Sequence, residues 1–234
     1  MRVLAVVHQR DAGAGVFADA AAEIVKWVPS ESPPPALDGV GAAMFFGGAM
    51  HVDQEEAHPW LAAEKDFLRE LVRRRLPVLG VCLGAQLLSE VAGGRSRRAA
   101  RPEIGWKRVE LTPEGRDDPV IGPLAPAFEV FEWHSYEAAL PPGAVALART
   151  PLCLQAYRLG GAPAWGLQFH AEVMPANLDR WLDGWANNRD AAATRLDPEA
   201  IRSESRAKIV AQGELGRALA RRFLAEAAKV ASAV

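Results

Sequence analysis

Three short runs with almost no polar residue constrain this chain more than any other feature: RVLAVV at 2–7, GVGAAMFF at 39–46 and PVLGV at 77–81. A strand with one wet face alternates apolar and polar residues. A strand that is apolar throughout must be covered on both faces, as in the parallel sheets of α/β proteins. Between the runs lie an alanine-rich segment around 16–27, expected to be helical, and the cluster PSESPPPALDG at 29–39, expected to be a surface loop. PWLAAEKDFLRELVRRR at 59–75 places Trp60, Phe67, Leu68, Leu71 and Val72 at helical spacing behind Pro59. Leu83–Val91 reads as the next helix, closed by Gly93 and Gly94. Alternating strand and helix predict a doubly wound α/β sheet with right-handed crossovers.

From about 103 to 169 the texture changes. GWKRVELT, AFEVFEWHSY, AVALART, LQAYRLG and AWGLQFH are short, alternating and punctuated by glycine and proline. They read as strands, several antiparallel, added to the parallel core of a three-layer α/β/α fold. The tail from about 190 reads as helical, with Asp197, Pro198 and Glu199 as N-cap, N1 and N2. The expected division is therefore a domain over 1–189 and a helical extension over 190–234 packed on it.

A net charge of −2 argues against a chain built to grip nucleic acid. No apolar run approaches the roughly 20 residues that span a bilayer, and the apolar part of MRVLAVVHQRD is too short for a secretory segment. The expected location is cytoplasmic. Two cysteines cannot build a disulfide framework, and a reducing compartment keeps them as thiols.

One of those cysteines sits where the third apolar run meets its helix. In PVLGVCLGAQLL, Cys82 has Gly80 and Gly84 two residues to either side. This is the spacing of a nucleophile elbow: small residues let strand and helix close sharply and lift the nucleophile above the C-terminal edge of the sheet. The positive end of the helix macrodipole favours negative charge on the sulfur. Alone, the pentad also suits a cysteine packed at a strand end. A thiol nucleophile needs a base, and the base an orienting group. Of the five histidines, His8, His51, His58, His134 and His170, the last ends the alternating strand WGLQFH. Glu172 lies two residues on and projects from the same side if the chain stays extended. Cys153, in TPLCLQAY, lacks such surroundings and is expected to be a strand packing residue.

Taken together, VLGVCLGAQLL and WGLQFHAEV resemble the class I, triad-type glutamine amidotransferases, over most of residues 1–185. FFGGAM, EIGWKRVEL and FEVFEWHSYE are similar to the stand-alone branch related to the glutaminase domain of GMP synthase. The resemblance implies a flavodoxin-like sheet with added strands, and an amidotransferase domain over 1–189. It implies Cys82 as nucleophile, His170 as general base and acid, Glu172 as orienting partner, and no cofactor. The backbone N–H groups of Gly48 and Leu83 are implied as the oxyanion hole. Gly47, Gln86, His134, Ser135 and Tyr136 are implied to bind the amino-acid substrate. On the residues alone, Gly47–Gly48 also reads as a plain turn, Gln86 as an exposed helix residue, and His134 as a structural strand-end residue. Ala49 and Ala171 stand where the family usually has proline, and are expected to loosen both turns without deleting a catalytic group.

GRSRRAARPEIGWKR, 94–108, gathers six arginines and lysines, and reads either as a solvated loop or as a docking face for an acceptor protein or anionic substrate. No CxxC, HExxH or paired-histidine spacing appears, so no metal is expected. No Walker A motif appears, so ATP-driven chemistry is not expected either. Three functional readings stay open. The first is a glutamine-hydrolysing subunit or glutaminase that hands ammonia to a synthetase or acceptor protein. The second is a hydrolase or transferase acting on another γ-glutamyl compound, and the third is a non-catalytic partner-binding module. A homodimer fits any of them; nucleic acid and membrane do not.

Overall fold

The computed structural model describes residues 1–232. Its strands are β1 (Arg2–Val6), β2 (Glu23–Trp27), β3 (Val40–Phe45), β4 (Val78–Val81), β5 (Ser96–Leu111), β6 (Ala127–Ala138), β7 (Val145–Arg149), β8 (Leu154–Arg158) and β9 (Ala164–Leu167). All lie in one sheet, in the order β2-β1-β3-β4-β9-β8-β7-β5-β6. From β2 to β9 neighbouring strands are parallel, and from β9 to β6 they are antiparallel. The helices are α1 (Trp60–Arg73), α2 (Leu83–Val91), α3 (Pro113–Arg116), α4 (Pro175–Asp183), α5 (Arg189–Ala192) and α6 (Pro198–Ser232). Among the described residues no helix is long and apolar enough to cross a membrane.

The apolar runs are buried on both sides, as the mixed α/β expectation requires. In β1, Leu4 and Val6 join Leu61, Leu68 and Leu71 of α1 and Leu87 and Leu88 of α2. Val3 and Ala5 point the other way, into a cluster with Phe17 and with Leu219, Ala220 and Phe223 of α6. Successive strand residues alternate sides, so one run fills two cores.

Two local expectations are corrected. The alanine-rich segment around 16–27 is not a helix: residues Gly15–Ala20 form a 3₁₀ helix and Glu23–Trp27 form β2. Alanine favours helix only weakly, and tertiary demands override it. Here β2 pairs in register along the outer edge of β1, and the face it leaves open is covered by α6 from the far end of the chain. The basic run at 94–108 is not a loop either. From Ser96 onward it lies in β5, where Arg97 faces Glu137 and donates to its carboxylate at 3.0 Å, an opposite-charge cross-strand pair.

Candidate active site

Three adjacent parallel strands deliver the groups singled out in the sequence to one edge of the sheet. The Gly47–Gly48 loop follows β3, Cys82 follows β4 and His170 follows β9. The β4 and β9 registers match Val81 with Leu167, and the Cys82 N–H donates to the Leu167 carbonyl at 2.7 Å. Residues far apart along the chain therefore leave neighbouring strands side by side.

Cys82 occupies φ 52° and ψ −108°, a conformation that costs a non-glycine residue roughly 1–3 kcal/mol. The flanking glycines are required by space: a Cβ on Gly80 would lie 2.5 Å from the Gly84 carbonyl oxygen, and one on Gly84 would overlap the Phe45 carbonyl. The elbow aims the sulfur across the sheet edge. A Cβ placed on Gly47 would lie 3.0 Å from His170 Cε1 and 3.9 Å from Cys82 Sγ, so thiol, imidazole and loop surround one point. His170 Nδ1 faces Glu172 Oε1 at 2.7 Å, and both side chains are buried. Burial alone would lower the pKa of His170, but the Glu172 carboxylate and the Cys82 sulfur outweigh it and raise the ring well above its ordinary value.

Supports for this arrangement come from residues the sequence did not flag. His8, buried beyond β1, has Nδ1 3.2 Å from the Gly47 carbonyl and Nε2 2.8 Å from Glu64 Oε1 of α1. The Gln9 side chain accepts from Ala49 N at 2.9 Å. The loop that lacks proline is thus held by two neighbours from the end of β1. Gly48 lies close enough that a Cβ there would meet the Leu83 side chain at 3.2 Å, and the N–H groups of Gly48 and Leu83 have no hydrogen-bond partner among the described residues. The His170–Glu172 turn is also held. Val16 N donates to the Glu172 carbonyl at 2.9 Å, His170 N to the Phe131 carbonyl at 2.9 Å, and Gly216 of α6 lies flush against the Ala171 carbonyl. The edge of Trp181 meets the His170 ring at a centroid distance of 4.9 Å. The only sequence signal for these supports is the polar pair His8–Gln9 directly after an all-apolar strand.

The site opens into a cleft of about 410 Å³ lined by Cys82, Leu83, Gln86, His170 and residues 133–136. Gln86 is not exposed. Its amide nitrogen donates to the Tyr136 carbonyl at 3.0 Å and to Gln168 Oε1 at 3.2 Å, tying α2 to the cleft wall. Ser135 donates to Asp190 Oδ2 at 2.5 Å, and Arg98 Nη1 to Asp190 Oδ1 at 2.7 Å. The Tyr136 ring stacks on His51 at 4.0 Å. His134 turns its ring away from the cleft into a buried polar group with Glu103, Glu132 and Cys153. Cys153 is therefore more than a packing residue: its sulfur is 3.1 Å from Glu103 Oε2, and burial raises its pKa.

Known proteins resemble this chain in sequence and in fold. The family model described as glutamine amidotransferase class-I matches residues 18–182. The glutamine amidotransferase-like protein YfeJ of Salmonella typhimurium is 30% identical over 182 residues, which cover 74% of this chain and 76% of that protein. A glutamine-hydrolysing GMP synthase subunit from Saccharolobus solfataricus is 30% identical over 151 residues, covering 64% of this chain and 76% of the relative. The crystal structure of a glutamine amidotransferase from Thermotoga maritima superposes with a TM-score of 0.84 at 26% identity, covering 95% of this chain and 97% of that one.

Proposed function

Because this chain belongs to the class-I glutamine amidotransferase family, we propose that it hydrolyses the side-chain amide of glutamine through a γ-glutamyl thioester on Cys82. The observation that carries this reading is the meeting of the Cys82 sulfur and the His170 ring beside Gly47, with Glu172 behind the ring.

The raised pKa of His170 favours a proton on the ring, which receives the one that the Cys82 sulfur gives up. That sulfur attacks the carboxamide carbon, and negative charge moves to the oxygen. The free N–H groups of Gly48 and Leu83 are the donors for it, and removing one such donor commonly costs about 3–4 kcal/mol of barrier lowering. As the C–N bond breaks, His170 gives its proton to the departing nitrogen and ammonia leaves. The neutral ring then takes a proton from water, whose oxygen attacks the thioester. Glutamate departs, and the proton stays with the sulfur–imidazole pair. Glu172 holds the ring orientation and stabilises its charged form throughout. The cleft wall at 133–136 and Gln86 hold the amino-acid end.

The ammonia acceptor we propose is a separate synthetase chain, by analogy with the GMP synthase relatives, in a cytoplasmic setting. A second reading rests on cleft size. At about 410 Å³ the cleft falls within the roughly 300–1,000 Å³ that takes drug-sized ligands, so γ-glutamyl amides of larger amines also fit. Ammonia release from glutamine, followed with the wild type and Cys82→Ala, tests the first reading. A screen of γ-glutamyl amides read by acyl-enzyme mass separates the two. If no γ-glutamyl compound adds mass to Cys82, both readings fall.

A further inference from the structure

At the cleft wall, three buried side chains with metal-binding atoms meet where no sequence motif announced them, with Glu132 beside them. Glu103 comes from β5, Glu132 and His134 from β6, and Cys153 from the turn before β8. Donor atoms of Glu103, His134 and Cys153 all lie within 4.8 Å of one another, and all three residues are buried. His134 Nε2 is 3.3 Å from Glu103 Oε2 and 3.4 Å from Glu132 Oε2, and Cys153 Sγ is 3.1 Å from Glu103 Oε2.

The protons decide what this group needs. His134 Nδ1 faces the Tyr136 carbonyl at 2.9 Å, and a carbonyl only accepts, so Nδ1 carries hydrogen. That leaves Nε2 as the ring nitrogen turned toward the Glu103 and Glu132 carboxylates. Nε2 and both oxygens of Glu132 lack a hydrogen-bond partner, and the Glu132 side chain is fully buried. A buried imidazole nitrogen without a hydrogen-bond partner, turned toward a thiol and a carboxylate, is a donor set that a metal ion can organise.

We propose that Glu103, His134 and Cys153 form a binding site for one zinc ion, with water completing the fourth position. Ligand atoms around tetrahedral zinc, at ~2.0–2.3 Å from the metal, stand roughly 3.3–3.6 Å from one another. The 3.3 Å between His134 Nε2 and Glu103 Oε2 already matches, and the 3.1 Å between Cys153 Sγ and Glu103 Oε2 requires only a small outward shift of the sulfur. The outer partners are in place as well. The second ring nitrogen of a zinc-bound histidine usually donates to a carbonyl or carboxylate, as His134 Nδ1 does to Tyr136. Gln155 Nε2 donates to Glu103 Oε2 at 2.8 Å, and Thr150 Oγ1 donates to the same oxygen at 3.1 Å. Thiolate with imidazole selects zinc over magnesium or calcium. Binding displaces the Cys153 thiol proton and any proton shared by His134 and Glu132. The bound ion joins β5, β6 and the β7–β8 turn at the cleft wall, and it does not depend on the chemistry at Cys82.

The test is zinc content by elemental mass spectrometry on the full chain, loaded with zinc and then desalted against a weak chelator. Wild type and Cys82→Ser should each retain roughly one zinc per chain, and Cys153→Ala less than about a tenth of that. Gln155→Ala should bind zinc about 10–100-fold more weakly, the usual cost of losing an outer partner. Cobalt in place of zinc should show a thiolate-to-metal charge-transfer band in wild type and Cys82→Ser that Cys153→Ala lacks. If Cys153→Ala misfolds by circular dichroism, Glu103→Gln replaces it with the same expected loss of zinc. A wild-type chain without zinc after loading, retention by a folded Cys153→Ala chain, or loss with Cys82→Ser would each overturn the site.

Discussion

Gly216 of α6 packs against the carbonyl oxygen of Ala171 so closely that a methyl group at that position would overlap it. Ala171 is the residue between His170 and Glu172, so the C-terminal helix braces the segment that holds the imidazole and its carboxylate. In an exposed helix interior Gly→Ala stabilises by roughly 0.5–1 kcal/mol. Here overpacking dominates, and Gly216→Ala should destabilise by about 1–3 kcal/mol and lower kcat more than it raises KM. Gly213→Ala is the control: its Cβ would meet the tip of the Arg217 side chain at 3.2 Å and make ordinary contact with Val16 at 3.9 Å. Thermal melts and glutaminase kinetics on both variants check the pair.

Cys82 stands in a conformation that glycine adopts freely. Cys82→Ala and Cys82→Gly should both lose glutaminase activity. The glycine variant should nevertheless be the more stable of the two by about 1 kcal/mol or more, because it sheds the backbone strain. Denaturant midpoints of the two variants are the measurement. An alanine variant at least as stable as the glycine variant would show that the elbow holds no strain.

The carboxylate behind His170 sets a pH window. The folded-state pKa of the ring lies well above its ordinary value of 6.5. Stability contributed by the charged ring is therefore fully present below the unfolded value and is lost as pH rises through the folded one. Activity that needs the ring proton should hold through neutral pH and fall on the alkaline side. Glu172→Gln removes the negative charge, so the alkaline fall should move to lower pH and kcat should drop. Rates of Cys82 alkylation by iodoacetamide across pH, in wild type and Glu172→Gln, follow the same proton without substrate.

The buried His8–Glu64 pair holds the Gly47 carbonyl from behind. Glu64→Ala leaves His8 without its partner in a dry site, and leaving a buried polar group unsatisfied costs about 1–3 kcal/mol. Glu64→Gln keeps an oxygen acceptor and should cost less. If the loop carries an oxyanion donor, Glu64→Gln should lower kcat several-fold with KM nearly unchanged. Steady-state kinetics of that variant decide it.

Asp190 ties Ser135 and Arg98 together at the mouth of the cleft. Asp190→Ala frees both, and it touches neither sulfur nor imidazole. KM for glutamine should rise several-fold while kcat stays within about twofold, since the changed contacts act alike on substrate and transition state. A fall in kcat with KM unchanged would place Asp190 in the chemistry instead.

Much of this was legible in the residues, and what was hidden has identifiable physical causes. Fully apolar runs specify strands buried on both faces, and the elbow glycines specify a turn with no room for side chains, so the sheet and the place of Cys82 could be read locally. The 3₁₀ segment at Gly15–Ala20 could not, because the helix that covers that face of β1 comes from residues beyond 198 and leaves no trace near residue 16. His8 and Glu64 become partners only when α1 folds back over β1. The group around Cys153 was invisible for the same reason. Its members are spread over β5, β6 and the turn before β8, and only cross-strand register brings them together.

The place of β9 in the sheet has a consequence for how the protein matures. It is the last strand along the chain, yet it lies inside the sheet between β4 and β8. A chain emerging from the ribosome therefore displays its elbow thiol well before the imidazole can arrive, and the two meet only when the final strand docks beside β4. Non-local closure of that kind is slow. Reactivity of the thiol should thus appear late and all at once, which makes labelling of that one sulfur a clock for the completion of folding.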